Sequence, residues 1–502
     1  MSPSSETVLG RPDAIAPEVS FGLQDPIPSE FASASEEDVK DGGEQLAPFY
    51  IAFVNQMEAT RPEVLRGVRV GELLRYLPWT WLQGGDLETL HSLSQQTEHF
   101  DQFWSHSWSG ARWSKYINIL YLHNCVPATI AGSLSASVAC GLVSAGVLEG
   151  RWCLLSGLVA FCIVLLLWHP RKLVFIDIAC IPQSDQDRKG EAIMSMGAFL
   201  KQSTSMLVLW DPSWVTRLWC IFEIAAFLHS RSPGCKADLQ IIPPLLGPVL
   251  LGCEMLLCVT AMAYGYVESS LASSEEAVLV GEESLLLLAV LGPLFSFVTH
   301  ALRGYARSVE MLQEQLLEFK VEHARSACCD QGHEDKSLCD REVILECIAA
   351  WYSSLDSFEL QVQSEVRMAI IDQLAYRAIS YQRIVLLSTP YVWIRLEYAA
   401  SRASDPSGQV ADLAQTFTYL LAIFPLLDKL SFRLCYRWRA RCCRPYADFL
   451  LSNAIVVVTL LFYIACYTIQ IYVFRQTERA LLLSVISMFS WWAVAAILWR
   501  IT

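Results

Sequence analysis

Trp219 and Glu223 stand one helical turn apart in the stretch Ser205–Phe227, SMLVLWDPSWVTRLWCIFEIAAF, so a carboxylate and an indole share one helix face. A carboxylate beside an aromatic at the mouth of a strand–turn–helix unit is a candidate site. The plainer reading is a helix whose one acid is solvated or paired with Arg217. Further upstream, an aromatic run ends in Ser105-His106-Ser107-Trp108, which offers two hydroxyls, an imidazole and an indole. Asp177 sits near the end of a second apolar run, Leu173–Ile178. Glu254 is the one obvious acid deep inside a long apolar stretch, either a functional group or an acid protonated or hydrogen-bonded between helices. Cys328, Cys329, His333 and Cys339 come close together, but their spacing matches no zinc module, and no metal centre is expected there.

Alternating strands and helices must position these groups. His99–Trp104, Leu173–Ile178 and Met206–Trp210 read as buried strands, and Asp238–Pro243 as a further one. Glu63–Tyr76 reads as a helix, with Pro78-Trp79-Thr80-Trp81 as a turn. Helices are expected over Arg112–Asn124 and Glu191–Ser203, and from Ser213 or Thr216 onward, with Leu218, Ile221, Phe222 and Ala225 as a buried stripe. Strand, helix, strand, helix implies a parallel βαβ sheet with right-handed crossovers. Sites in such sheets form where the strands end in loops. That rule places Ser105–Trp108, Asp177 and the turn before Glu223 along one rim.

The rest of the chain is of another kind. Its 502 residues are 53% hydrophobic and only 18% charged, too apolar for an ordinary soluble protein. Uncharged runs over Cys125–Leu148, Trp152–Trp168, Leu245–Val267, Ser284–Leu302, Phe449–Tyr472 and Leu481–Trp499 read as six membrane spans. The first two form a hairpin, 125–168, inside the α/β region. Ala128, Gly132, Ala136, Cys140 and Ser144 recur every four residues on the first, a face suited to close helix packing. Ala411–Leu427 is apolar but short, and is expected to be peripheral, re-entrant or paired with Ile384–Ile394.

The expected division is a disordered acidic tail over 1–46, an α/β domain over 47–243 interrupted by the hairpin, and a second pair of spans within 244–302. Cytosolic amphipathic helices follow over 303–410, then a membrane region over 411–502. No cleaved signal peptide is expected, because the start lacks a basic stretch followed by an apolar one. Lys429, Arg433, Arg437, Arg439, Arg441 and Arg444 form a basic segment without an acid, which places 429–444 and both termini on the cytosolic side. That segment should attract anionic lipid, and Cys435, Cys442 and Cys443 within it are candidate S-palmitoylation sites. A net charge of −14 with no other basic stripe argues against a nucleic-acid partner.

The order of the soluble pieces resembles a Toll/interleukin-receptor (TIR)-like domain. The resemblance rests on Ser105-His106-Ser107 at the end of the first strand, on FIDIACIPQSD and MLVLW, and on the Trp-Cys-x-x-Glu helix formed by Trp219, Cys220 and Glu223. It covers roughly residues 95–243 without the hairpin, and the combination looks like multi-span protist membrane proteins with the same motif set. The inserted hairpin departs from the TIR pattern, as does the lack of a glycine after Ile178. The resemblance implies a flavodoxin-like fold, self-association, and a signalling role. In TIR domains that cleave NAD the helix glutamate is catalytic, which would put that role on Glu223. A carboxylate there could bind ribose hydroxyls and stabilise an oxocarbenium-like transition state, and nicotinamide leaves as a neutral group needing no second carboxylic acid. Whether the chain is an enzyme stays open at this stage, and a transporter or channel with a regulatory cytosolic domain is the competing expectation.

Overall fold

The computed structural model describes residues 42–83, 87–107, 111–149, 151–232, 237–271, 280–331, 339–377, 380–401, 406–475 and 480–501. Within these the chain separates into two units. One is an α/β unit drawn from 1–111, 172–241 and 315–368; the other is helical, from 112–171, 242–314 and 369–502. Trp108, His333 and half of the acidic loop Glu268–Glu283 lie outside the described residues, as does most of the expected tail. A helix already begins at Gly42, before the expected boundary at residue 46.

Six strands form the sheet of the α/β unit: β1 (Arg66–Arg69), β2 (Gln95–Gln96), β3 (Phe100–His106), β4 (Leu173–Phe175), β5 (Ser203–Leu209) and β6 (Leu239–Ile242). Their spatial order is β2-β1-β4-β3-β5-β6. β3 runs parallel to both β4 and β5, whereas β1 is antiparallel to β2 and to β4. The sheet is therefore mixed, which corrects the all-parallel expectation. The cause is β1, which takes Arg66–Arg69 out of the helix expected over Glu63–Tyr76. Four residues are too few to betray a strand by alternation. Gly67 is fixed there by close packing, since a Cβ would lie 3.1 Å from both Leu173 Cγ and Phe100 Cε1. The helix follows at Val70–Gln83 and runs through the expected turn at Pro78–Trp81.

β3, β4 and β5 are nearly continuous runs of buried residues, as befits strands covered on both faces. Phe103 stacks on Phe175 at 4.7 Å between centroids, Phe175 meets Phe199 at 4.3 Å, and Phe100 meets Phe199 at 5.7 Å. These rings are fully buried. The helix expected over Glu191–Ser203 divides at Ser195 into Gln186–Met194 and Met196–Lys201. The Ser195 hydroxyl there accepts the Thr60 amide at 3.0 Å. Helix Leu218–His229 is buried on more than its expected stripe, because Trp219, Cys220, Ile224, Ala226 and Phe227 are buried too. The segment 315–368, expected to be separate amphipathic helices, supplies the cover. Trp351 meets Phe222 at 5.5 Å and stacks on His229 at 5.3 Å, and the Tyr352 hydroxyl donates to Ala225 O at 2.8 Å.

The helical unit contains four helices long and apolar enough to cross a membrane among the described residues: Arg112–Ser144, Leu246–Ala263, Gln409–Arg437 and Pro445–Ile469. The first joins the expected helix Arg112–Asn124 and the first expected span into one element of 33 residues. Gln409–Arg437 contains the Ala411–Leu427 stretch in a longer continuous helical run, with a π-helical turn at Tyr419–Ile423. The helices Cys153–Leu167 and Val485–Leu498 are apolar but shorter.

The small-residue face packs closely. Ala128, Gly132 and Ala136 are buried, and a Cβ on Gly132 would lie 2.7 Å from the Trp393 ring and 2.8 Å from Gly157 O. Trp393 fills the gap that Gly132 and Gly157 leave, and its Nε1 donates to Ser133 Oγ at 3.2 Å. Asn124 closes the hairpin by donating to Leu165 O at 2.8 Å and Trp168 O at 3.2 Å, two carbonyls at the end of the second helix.

Candidate functional site

β3, β4 and β5 are mutually parallel, so their carboxyl ends lie on one edge of the sheet. β3 ends at His106, Asp177 lies just past β4, and Asp211 just past β5. β3 lies between β4 and β5, so the chain steps from β3 to one side at β4 and then crosses to its other side at β5. The crevice at such a reversal is where open α/β sheets place ligands. Glu223 enters this edge from helix Leu218–His229.

The central contact joins two sequence candidates. Ser105 Oγ donates to Glu223 Oε2 at 2.5 Å, and the same hydroxyl accepts Trp214 Nε1 at 2.9 Å. Ser105 is fully buried and Glu223, taken as a whole residue, is half-buried. Burial raises the Glu223 pKa to about 8; the nearby Asp177 carboxylate adds to the effect, and the Ser105 hydrogen bond and Arg217 oppose it. At neutral pH this carboxyl is largely protonated, and small changes in its surroundings can switch its charge.

His106 is buried with its Nδ1 3.7 Å from Asp177 Oδ1, longer than a hydrogen bond. Asp177 Oδ1 also accepts the Ile178 amide at 2.7 Å, at the start of the one-turn helix Asp177–Cys180. Gln183 Nε2 donates to Asp177 O at 3.3 Å and Ile181 O at 3.2 Å, fixing the loop after β4. Ser107 Oγ donates to Asp211 Oδ2, while Asp211 Oδ1 accepts the Ser213 amide at 2.9 Å and its hydroxyl at 2.5 Å. The loops after β3 and β5 are thereby tied together.

Trp219 is placed differently from Glu223. Its indole is buried, meets Phe222 edge-on at 5.5 Å, and donates from Nε1 to Asp340 Oδ2 at 3.2 Å. The Cys220 thiol points toward His106 O, at 3.9 Å. Sequence reasoning thus located Ser105, His106, Ser107, Asp177 and Glu223 on one edge. It missed Trp214 and Asp340, and read Asp211 only as a turn residue. Trp214 gave no periodic signal, because it lies in a single 3-10 turn, Trp214–Thr216. Asp340 is distant in sequence and had no motif to mark it.

In the helical unit, Glu254 is fully buried, and among the described residues neither carboxyl oxygen has a hydrogen-bond partner. Of the three candidate palmitoylation sites, Cys435 is fully buried with its Sγ directed at Thr299 O, 3.9 Å away. Cys443 is exposed and Cys442 partly so. No family model matches this chain, and no curated protein or solved structure is significantly similar to it.

Proposed function

We propose that this chain is a multi-pass membrane protein whose cytosolic α/β unit is a TIR-like signalling and self-association module that takes NAD as its ligand at Glu223. The membrane assignment is supported by the four long apolar helices and by large side chains that stay exposed on them, such as Leu134, Val138, Leu450 and Leu461. The basic segment 429–444 marks the cytosolic side and suits contact with anionic lipid. The TIR-like, flavodoxin-like assignment is supported by the order β4-β3-β5-β6, which in chain order reads second, first, third, fourth.

One observation carries the ligand reading: the Glu223 carboxyl is held by Ser105, itself held by Trp214, at the sheet edge where the strand order reverses. There a carboxylate would bind ribose hydroxyls and stabilise positive charge at the anomeric carbon. The bond from that carbon to the pyridinium nitrogen breaks with its electron pair leaving on neutral nicotinamide. Water then adds to the carbon and releases a proton, giving ADP-ribose. Ionised Glu223 is the competent form, so turnover rises with pH through about 8. Purified full-length protein should consume NAD, and Glu223→Ala should not. Equal turnover by the two folded proteins would refute the role.

A second reading, transport, is favoured by Glu254, whose carboxyl lies in an apolar helix with neither oxygen partnered among the described residues. Proton or cation flux into vesicles that is lost in Glu254→Gln would support it. No flux in the unaltered protein would remove it.

A further inference from the structure

Three cysteines of the α/β unit converge on one point. Cys328 Sγ lies 3.8 Å from Cys329 Sγ, which lies 3.6 Å from Cys339 Sγ, and all three sulfurs fall within 4.8 Å of one another. None is in a disulfide. A sulfur–sulfur bond would require about 2.0 Å, well below these separations. A tetrahedral zinc ion with bonds of about 2.3 Å to sulfur holds its thiolates about 3.8 Å apart. The observed spacings match an ion held between the sulfurs better than a covalent bridge.

The surroundings suit such a role. Cys328 and Cys329 lie on the short helix Ala327–Gln331, and Cys339 sits at the cap of helix Asp340–Tyr352. The Ser326 hydroxyl lies 3.2 Å from Cys328 Sγ, where it can donate to a thiolate. Just before the first pair, Arg325 bridges to the site region: its amide donates to Thr216 O at 2.7 Å, and its carbonyl accepts the Leu218 amide at 2.9 Å. Just after the third cysteine, Asp340 accepts the Trp219 indole. Both flanks of the thiol cluster therefore hold the segment Thr216–Trp219, which opens the Glu223 helix.

We propose that Cys328, Cys329 and Cys339 form a zinc site that fixes Arg325 and Asp340 against the start of the Glu223 helix. Three thiolates bind the ion, releasing their protons, and water fills the fourth position. Soft ligands of this kind select thiophilic ions over magnesium or calcium. The site is independent of the NAD reading, because it makes a claim about metal content and not about turnover.

Cobalt(II) is the probe, added to the full-length chain purified under reducing conditions. One ion per chain should bind with a thiolate-to-cobalt charge-transfer band that zinc displaces. Changes beyond the ligands themselves already cost ~10–100-fold in metal affinity. Cys329→Ser and Cys339→Ser should therefore each abolish the band and weaken zinc at least a hundredfold, while Cys443→Ser should retain both. Because a serine variant can fail to fold, alkylation of the unaltered chain supplies a second test. Zinc should protect Cys329 and Cys339 from iodoacetamide, and a chelator should expose them. A native chain without the band, equal alkylation with and without zinc, or a Cys329–Cys339 disulfide in the reduced preparation would each overturn the site.

Discussion

Glutamine at position 223 keeps the shape of the protonated carboxyl and removes its titration, so Glu223→Gln isolates the effect of that one proton. In the folded chain burial holds the proton to about pH 8, against 4.5 in the unfolded chain. Within that window the folded state carries a proton that the unfolded state has lost. Folding stability at this site is therefore fully present below pH 4.5, declines as pH rises, and is lost above pH 8. Each pH unit is worth about 1.4 kcal/mol, so the whole window has an upper limit of about 5 kcal/mol. In Glu223→Gln the amide can still accept from Ser105, and no charge is ever buried. Urea unfolding, followed through tryptophan fluorescence at about pH 5 and about pH 9, should show the two proteins diverging. The glutamine variant should gain on the native chain by up to about 4 kcal/mol at the higher pH. A constant difference across that range would refute the buried, proton-retaining state of Glu223.

Other perturbations test separate parts of the structure. Gly157→Ala puts a methyl group 2.8 Å from the Trp393 ring, so either the ring or the helix must move. A cost of about 1–3 kcal/mol is expected, seen as a lower unfolding midpoint in detergent. Arg303 is fully buried and donates to Trp438 O, Ala440 O, Asp448 O, Ser452 Oγ and Asp448 Oδ1. Asp448→Asn should destabilise the helical unit by about 3–5 kcal/mol by leaving that guanidinium without its counter-charge, and a change below 1 kcal/mol would contradict it. A thiol reagent or acyl donor should modify Cys443 readily and leave Cys435 untouched in the folded protein, as peptide mass mapping would show.

Long-range order was legible wherever a pattern was long. The strands β3 and β5, the apolar helices and the small-residue face of Arg112–Ser144 all extend over enough residues for periodicity to speak. Short or shared elements were hidden. β1 spans four residues inside a helical pattern, and its place was decided by pairing with β4 and by the space Gly67 leaves for Phe100 and Leu173. Segment 315–368 carries charged, amphipathic helices that read as a free-standing element. The continuous apolar surface of helix Leu218–His229 was the clue to a cover, since a helix buried all round needs neighbours on every side. The site divides in the same way. Ser105 and Glu223 were visible from their places at the end of one strand and on the helix after another, whereas Trp214 joins them only through the fold. The thiol cluster was obscured by its adjacent cysteines, a spacing that standard zinc modules do not use.

The most direct test of the role assigned to Glu223 is NAD consumption by the purified full-length protein at about pH 6 and about pH 9, beside Glu223→Gln under the same conditions. Because ionisation of a carboxyl with a pKa of about 8 limits the reaction, the native chain should be roughly tenfold or more faster at the higher pH. The glutamine variant should be inactive at both. Native turnover that is absent, or that the folded variant retains, would contradict the assignment.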